Sequence, residues 1–144
     1  VDAVVRRLRS ADVDYVSNKP TPTAPVGLDV EAFTMESFAT VAAEATEPEE
    51  REHVTVFYRR FPERFDTATV SADEVFTEES GLVGAELRLT LDVPVDYELH
   101  RRIYANVQPD DRGIVPLASA VRYVNDSGLE DLNAEVRQET VEDA

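Results

Sequence analysis

The stretch LRLTLDVPVDYELHRRIYANV, Leu87 to Val107, decides how this chain is read. Its first six residues alternate. Leu87, Leu89 and Leu91 point one way and Arg88, Thr90 and Asp92 the other, the period of a strand. Pro94 then suits the first turn of a helix, where its missing N–H costs nothing. Asp96 and Glu98 follow in the first two turns, where acidic side chains meet the positive end of the helix dipole. Leu99, Ile103 and Val107 recur every four residues and give that helix a buried stripe. Asp92 therefore stands where a strand ends and a helix begins, the edge of an α/β sheet at which ligands bind.

Upstream, alternating and helical patterns take turns. Val1 to Ser10 reads as the end of a helix with Val1, Val4, Val5 and Leu8 on one face, and a chain that opens inside a helix reads as cut. Val13 to Asn18 reads as a short strand with Val13, Tyr15 and Ser17 on one side. Pro20, Pro22 and Pro25 make the next stretch an extended loop. Gly27 to Phe33 reads as a second strand, with Leu28, Val30 and Ala32 opposite Asp29, Glu31 and Phe33. Thr34 is a suitable N-cap for a helix Met35 to Ala45. Glu47-Pro48 restarts a helix expected to run to Phe61, buried through Val54, Phe57 and Tyr58. Phe65 to Val70 follows as a strand, and Ser71 to Gly84 as a loop. Downstream, Leu117 to Val124 and Leu129 to Val136 read as two short helices, and 138–144 as an acidic tail. The expectation is one α/β domain over residues 1–137.

Composition narrows the function classes. The 144 residues include 30 acidic and 14 basic ones, a formal net charge of −16, and Lys19 is the one lysine. Such a field repels nucleic acid phosphates, so nucleic acid is not an expected partner. An acid-rich, lysine-poor surface matches a protein of a salt-loving cell, where salt screens self-repulsion. No cysteine is present, which excludes disulfides, thiolate catalysis and cysteine-based zinc sites. No apolar run approaches the roughly 20 residues of a membrane helix, and no signal peptide pattern is present, so a cytoplasmic protein is expected. Neither histidine has a nucleophile beside it in a turn, so no Ser-His-Asp arrangement emerges.

Asp92 is the first candidate for chemistry. A hard carboxylate suits Mg²⁺, which takes one or two carboxylates and keeps phosphates and water as other ligands. It equally suits the N-cap of the helix opened by Pro94. Asp29 and Glu31, about 7 Å apart on one strand face, are placed to meet sugar hydroxyls or simply solvent. Gly27 beside them permits close approach. Arg51, Glu52 and His53 open a helix with groups able to bind a carboxylate or hydroxyl, Arg51 in bidentate fashion. A polar helix start explains them as well.

Taken together, DYVSN, the proline-rich loop, GLDVEAF, EREHVT, LTLDVP and DYE, in this order over about residues 1 to 133, resemble the spore coat polysaccharide biosynthesis protein F family of cytidylyltransferases. The CMP-acylneuraminate and CMP-KDO synthetases belong to the same group. The resemblance implies a Rossmann-like nucleotidyltransferase fold, a mostly parallel mixed sheet flanked by helices. It implies transfer of CMP from CTP to a cell-surface sugar with Mg²⁺, usually in a homodimer, for polysaccharide or glycan precursor synthesis. It favours the metal role for Asp92 and the sugar role for Asp29, Glu31, Arg51, Glu52 and His53. Two departures stand out. The family's basic phosphate loop, ARxGSxRxPGK, is absent, and the five glycines form no substitute. Val56 stands where many members carry proline. The chain therefore reads as the C-terminal, sugar-binding and dimerising part of such an enzyme, inactive alone. The alternative is a truncated, non-catalytic relative that serves as a dimerising or binding module.

Overall fold

Tyr15–Ser17, the first strand (β1), is buried at all three residues because both of its faces are covered. The computed structural model describes residues 1–19, 25–76, 82 and 87–136. These residues fall into two compact units, Val1–Pro22 with Asp29–Val75 and Thr23–Leu28 with Phe76–Ala144. The sequence reading expected one domain over 1–137.

In the first unit β1 is the middle of a mixed three-stranded sheet. It pairs antiparallel with β2 (Glu31–Phe33) and parallel with β3 (Thr67–Thr69). Val16 lies opposite Ala32 and Ala68, and these small neighbours leave room for helix α1 (Asp2–Ala11). Val4, Val16 and Val70 close that layer, with Leu8, Val13 and Val30 packed around them. Tyr15 faces the other way, into a cluster with Val41, Ala45, Phe57, Tyr58 and Phe65. Its ring stacks on Tyr58 at 4.7 Å between centroids.

Two details of the expected elements change here. Val13 packs with Val16 and not with Tyr15, because the strand begins only at Tyr15. Val1 precedes α1 and is 78% exposed, so it takes no part in the helix's buried face. Asp12 ends that helix in a left-handed conformation (φ 52°), one that aspartate tolerates better than most residues.

The second layer is helical. Thr34 caps α2 (Met35–Glu44) as expected, accepting from the Ser37 N–H at 3.1 Å. The helix expected from Glu47 to Phe61 is instead two short ones, α3 (Pro48–Glu52) and α4 (Val56–Arg60). The break falls at His53-Val54-Thr55, where two β-branched residues lower helix propensity. Val56, Phe57 and Tyr58 open α4 and are all buried. Since successive helical residues point 100° apart, this short helix is covered on more than one side. Val54, expected inside, is 40% exposed. Glu50 ties the pieces together. It is buried, accepts from the Thr46 and Glu47 N–H groups at 3.2 and 3.3 Å, and takes a 2.9 Å bond from Arg60.

The second unit is built on α5 (Pro94–Asn106) and α6 (Leu117–Asp126). Leu99 and Ile103 of α5 pack with Ala120, Val121 and Val124 of α6, and with Leu82, Leu87 and Leu89. Leu28, read as part of the Gly27–Phe33 strand, packs here instead. The helix expected over 129–136 is a series of turns that still buries Leu129 and Leu132 against this cluster. The expected tail, 138–144, half of the 71–84 loop and most of the proline-rich loop lie outside the described residues.

Candidate active site

The segment from Leu87 to Leu91 is extended, yet it is not a strand of the sheet. Among the described residues its ladder is a single parallel bridge between Arg88 and Val26, with Val26 N–H to Leu87 O at 2.8 Å and Leu89 N–H to Val26 O at 2.7 Å. Gly27 follows Val26 at φ +96°, and a Cβ there would lie 2.6 Å from the Thr90 nitrogen. A glycine is required at this close crossing. Leu87 and Leu89 are buried as the alternation demands, but Leu91 is 61% exposed because the chain has already begun to turn toward α5.

The turn is organised by Asp96, not by Asp92. Asp96 is fully buried at the third position of α5. Its Oδ2 accepts from the Asp92 and Val93 N–H groups at 3.0 and 3.3 Å and from Thr90 Oγ1 at 3.3 Å. Arg88 grips both oxygens, Nε to Oδ1 at 3.1 Å and Nη2 to Oδ2 at 3.0 Å. Asn133 adds a 2.7 Å bond from Nδ2 to Oδ1 and a 3.1 Å bond to the Arg88 carbonyl. Burial alone would push the Asp96 carboxyl up. The Arg88 fork, the backbone N–H groups and Asn133 outweigh it and hold the group well below the usual carboxylate range. Asp96 thus supplies the cap that the sequence offered to Asp92.

Asp92 is left free for other work. Its side chain is 66% exposed, and its Oδ2 accepts from Arg88 Nη2 at 2.9 Å. Its Oδ1 makes no hydrogen bond among the described residues. His100, on α5, points its Nε2 at the Leu89 and Thr90 carbonyls, 3.1 and 3.2 Å away, so this nitrogen carries the proton and clips the extended segment to the helix. Arg88 and Asn133 were not singled out in the sequence. Arg88 leaves a trace there as a cation on the polar side of an alternating run. Asn133 leaves none, since it sits in a turn some forty residues on.

The other candidate residues belong to the first unit. Glu31 is in β2, partly buried, and accepts a hydrogen bond from the Tyr15 hydroxyl. Burial and then Glu31 push the Tyr15 phenol well above its usual value. Asp29 precedes β2 and is exposed, so the two carboxylates do not share a strand face. Arg51, Glu52 and His53 are exposed at the end of α3, not at its start. Arg51 donates to the Ala45 carbonyl at 2.9 Å. Among the described residues no hydrogen bond joins this group to Asp29 or Glu31.

The donor set near Asp92 fits Mg²⁺ as one protein ligand and no more. Oδ1 is a hard, open oxygen, while both oxygens of Asp96 are taken. Among the described residues no group of three or more His, Asp or Glu side chains converges to hold a metal. Mg²⁺ commonly accepts such an arrangement when phosphate and water complete its shell.

The fold has a counterpart among known proteins. No family model matches the chain. A cytidylyltransferase from Leptospira borgpetersenii serovar Hardjo-bovis (strain JB197) superposes with a TM-score of 0.70 at 18% identity, over 95% of this chain and 54% of that one. The chain has the fold of part of a cytidylyltransferase. An uncharacterized protein of Methanocaldococcus jannaschii is 26% identical over 143 residues, 97% of this chain and 53% of that protein. The chain thus spans about half the length of each of these relatives. Among the described residues no helix is long and apolar enough to cross a membrane.

Proposed function

We propose that this chain is part of a CTP-dependent cytidylyltransferase of cell-surface glycan synthesis, carrying its sugar-binding and dimerising portion. The observation that carries the reading is the fold similarity to a cytidylyltransferase over 95% of the chain. The extended run ending at Asp92 is not a sheet strand among the described residues, so no sheet edge points to a ligand there; what supports Asp92 is its open Oδ1 beside the start of α5. Asp92 offers Oδ1 as one ligand of Mg²⁺, which when bound neutralises charge on the triphosphate. The chain's own contribution is to hold that oxygen outward, with Asp96 fixing the turn and Arg88 fixing Oδ2.

Arg51 and His53 are proposed to meet hydroxyl or carboxylate groups of the sugar, with Glu52 and Asp29 as further sugar contacts. Glu31, partly buried, is proposed to meet the sugar through the acceptor capacity left beside its bond from the Tyr15 hydroxyl. Self-association is assigned to α2 and the break after α3. There Phe38, Val41, Ala42, Ala45 and Val54, with Glu50 and Arg51 among them, line a hollow of about 160 Å³, and Met35 adds an exposed apolar side chain one turn earlier. The acid-rich surface fits a cytoplasm of high salt.

The experiment is calorimetric titration of CTP with Mg²⁺ in molar KCl, followed by pyrophosphate release with acidic sugars. The 144 residues contain no phosphate loop, so the chain alone is expected to neither bind CTP tightly nor turn over. A protein that joins it to a domain bearing such a loop is expected to do both, and Asp92→Asn to lower its kcat by at least tenfold. Micromolar CTP binding by the 144-residue chain would overturn the division of labour. An active joined protein indifferent to Asp92→Asn would overturn the role of Asp92, and failure of the joined protein would leave the non-catalytic module as the better reading.

A further inference from the structure

The Arg88 guanidinium has more to do than neutralise Asp96. A fork that meets both oxygens of one buried carboxylate is already paired. Yet the same Nη2 also reaches the exposed Asp92, at 2.9 Å. Pairs between two exposed side chains order little, because both must be immobilised. Here one partner is immobilised in advance. The Arg88 side chain is 10% exposed and seated on a carboxylate with no exposure at all. Asn133 holds the same carboxylate and the Arg88 carbonyl, so the seat is fixed from two sides. Only the motion of Asp92 itself remains to be restrained.

We infer that Arg88 is a positioning residue for Asp92: seated on Asp96, it pins Oδ2 of Asp92 and thereby presents Oδ1 outward in a single rotamer. This rests on the reading of Asp92 as a cation ligand, and it explains how a two-thirds exposed carboxylate is kept ready for that role. The order of support runs from Asp96 and Asn133 to Arg88, and from Arg88 to Asp92. A lysine at 88 would keep a charge against Asp96 but, as a compact ammonium without the rigid planar fork, would not hold both carboxylates in fixed geometry.

The test is spectroscopic and needs no nucleotide. Three-bond couplings from the Asp92 Cγ to its backbone nitrogen and carbonyl carbon report rotamer averaging about χ1 in the intact chain. One dominant rotamer is expected in the natural chain, and averaged couplings in Arg88→Lys with the amide spectrum otherwise retained. Should Arg88→Lys fail to fold, Asp92→Asn decides the direction of support. Slow exchange of the Arg88 Nε–H is expected to persist there, since Asp96 still holds it. Averaged Asp92 couplings in the natural chain, an unchanged rotamer in folded Arg88→Lys, or loss of Nε–H protection in Asp92→Asn would each overturn the inference. None of these readouts depends on CTP. Failure of cytidylyl transfer with an ordered Asp92 would therefore count against the functional reading alone.

Discussion

Arg88 and Asp96 form a two-bond, side-on pair inside the second unit, at 3.1 and 3.0 Å, with the carboxylate wholly out of water. Such a pair is costly to bury and more costly to break, because the surviving charge is left without a partner. Asp96→Asn keeps the shape and removes the charge. It is expected to destabilise the chain by about 3–5 kcal/mol, read as a lower midpoint in urea with an unchanged slope. Asn133→Ala removes a bond to a charged group and another to the Arg88 carbonyl, and loss of the first is expected to cost about 1.5–3 kcal/mol. Equal stability of either variant and the natural chain would show that the network is decoration.

The same carboxylate sets a pH dependence. Its folded value lies below the ordinary one. Its stabilisation is therefore complete above the unfolded value, about 3.9, and is lost as pH falls from there through the folded value. Thermal unfolding followed from pH 6 downward should hold steady to about pH 4 and then fall. Glu98, held down to about 2 by Arg101 and then Arg102, adds to the same window, though its one-third exposure screens the effect. In Asp96→Asn the acid limb should be shallower. An identical limb in both proteins would assign the acid sensitivity to other groups.

Gly27→Ala should be destabilising out of proportion to its size. The φ of +96° disfavours any side chain, and the new Cβ would meet the backbone at Thr90 and Leu89, 2.6 and 2.8 Å away. Backbone cannot yield as a side-chain tip does. A loss of more than about 1 kcal/mol is expected, with amide shifts spreading from Val26 to Thr90. A neutral outcome would mean that the two segments are not in contact in solution.

Tyr58→Phe separates stacking from hydrogen bonding. Tyr58 is buried, stacks on Tyr15, and exchanges a 2.9 Å bond with the Ser37 hydroxyl. Ser37 keeps other partners in Thr34 and the Asp14 carbonyl, so nothing is left orphaned. The cost should be that of one ordinary hydrogen bond, about 0.5–1.5 kcal/mol, while the near-ultraviolet signature of the packed aromatics persists. A loss several times larger would reveal a network wider than these contacts.

Paired substitution Met35→Glu with Val54→Glu probes the proposed self-association. Both side chains are exposed, at 73% and 40%, so folding stability should change little. Sedimentation in molar KCl is expected to show a dimer for the natural chain and a monomer for the double variant. A natural chain that sediments as a monomer at high concentration would remove the dimerising role from the proposal.

The sequence by itself determined the elements whose cause is local. Pro94 and the Leu99–Ile103 repeat gave α5, Thr34 gave the start of α2, and the alternation of Leu87 and Leu89 gave their burial, because caps and periodicity are written in adjacent residues. It also carried the likeness to a cytidylyltransferase, now matched in fold. Tertiary structure decided the rest. Whether Leu87–Leu91 joined the sheet depended on a partner about sixty residues upstream, and among the described residues it pairs with Val26 alone. Whether Asp92 or Asp96 capped α5 depended on Arg88 and Asn133, since a carboxylate is buried only where enough donors converge. The helix expected from Glu47 to Phe61 is broken at His53-Val54-Thr55, and Glu50 bridges the pieces through Arg60 and the N–H groups of Thr46 and Glu47. Those contests are settled between residues far apart in the chain, and no local pattern records their outcome.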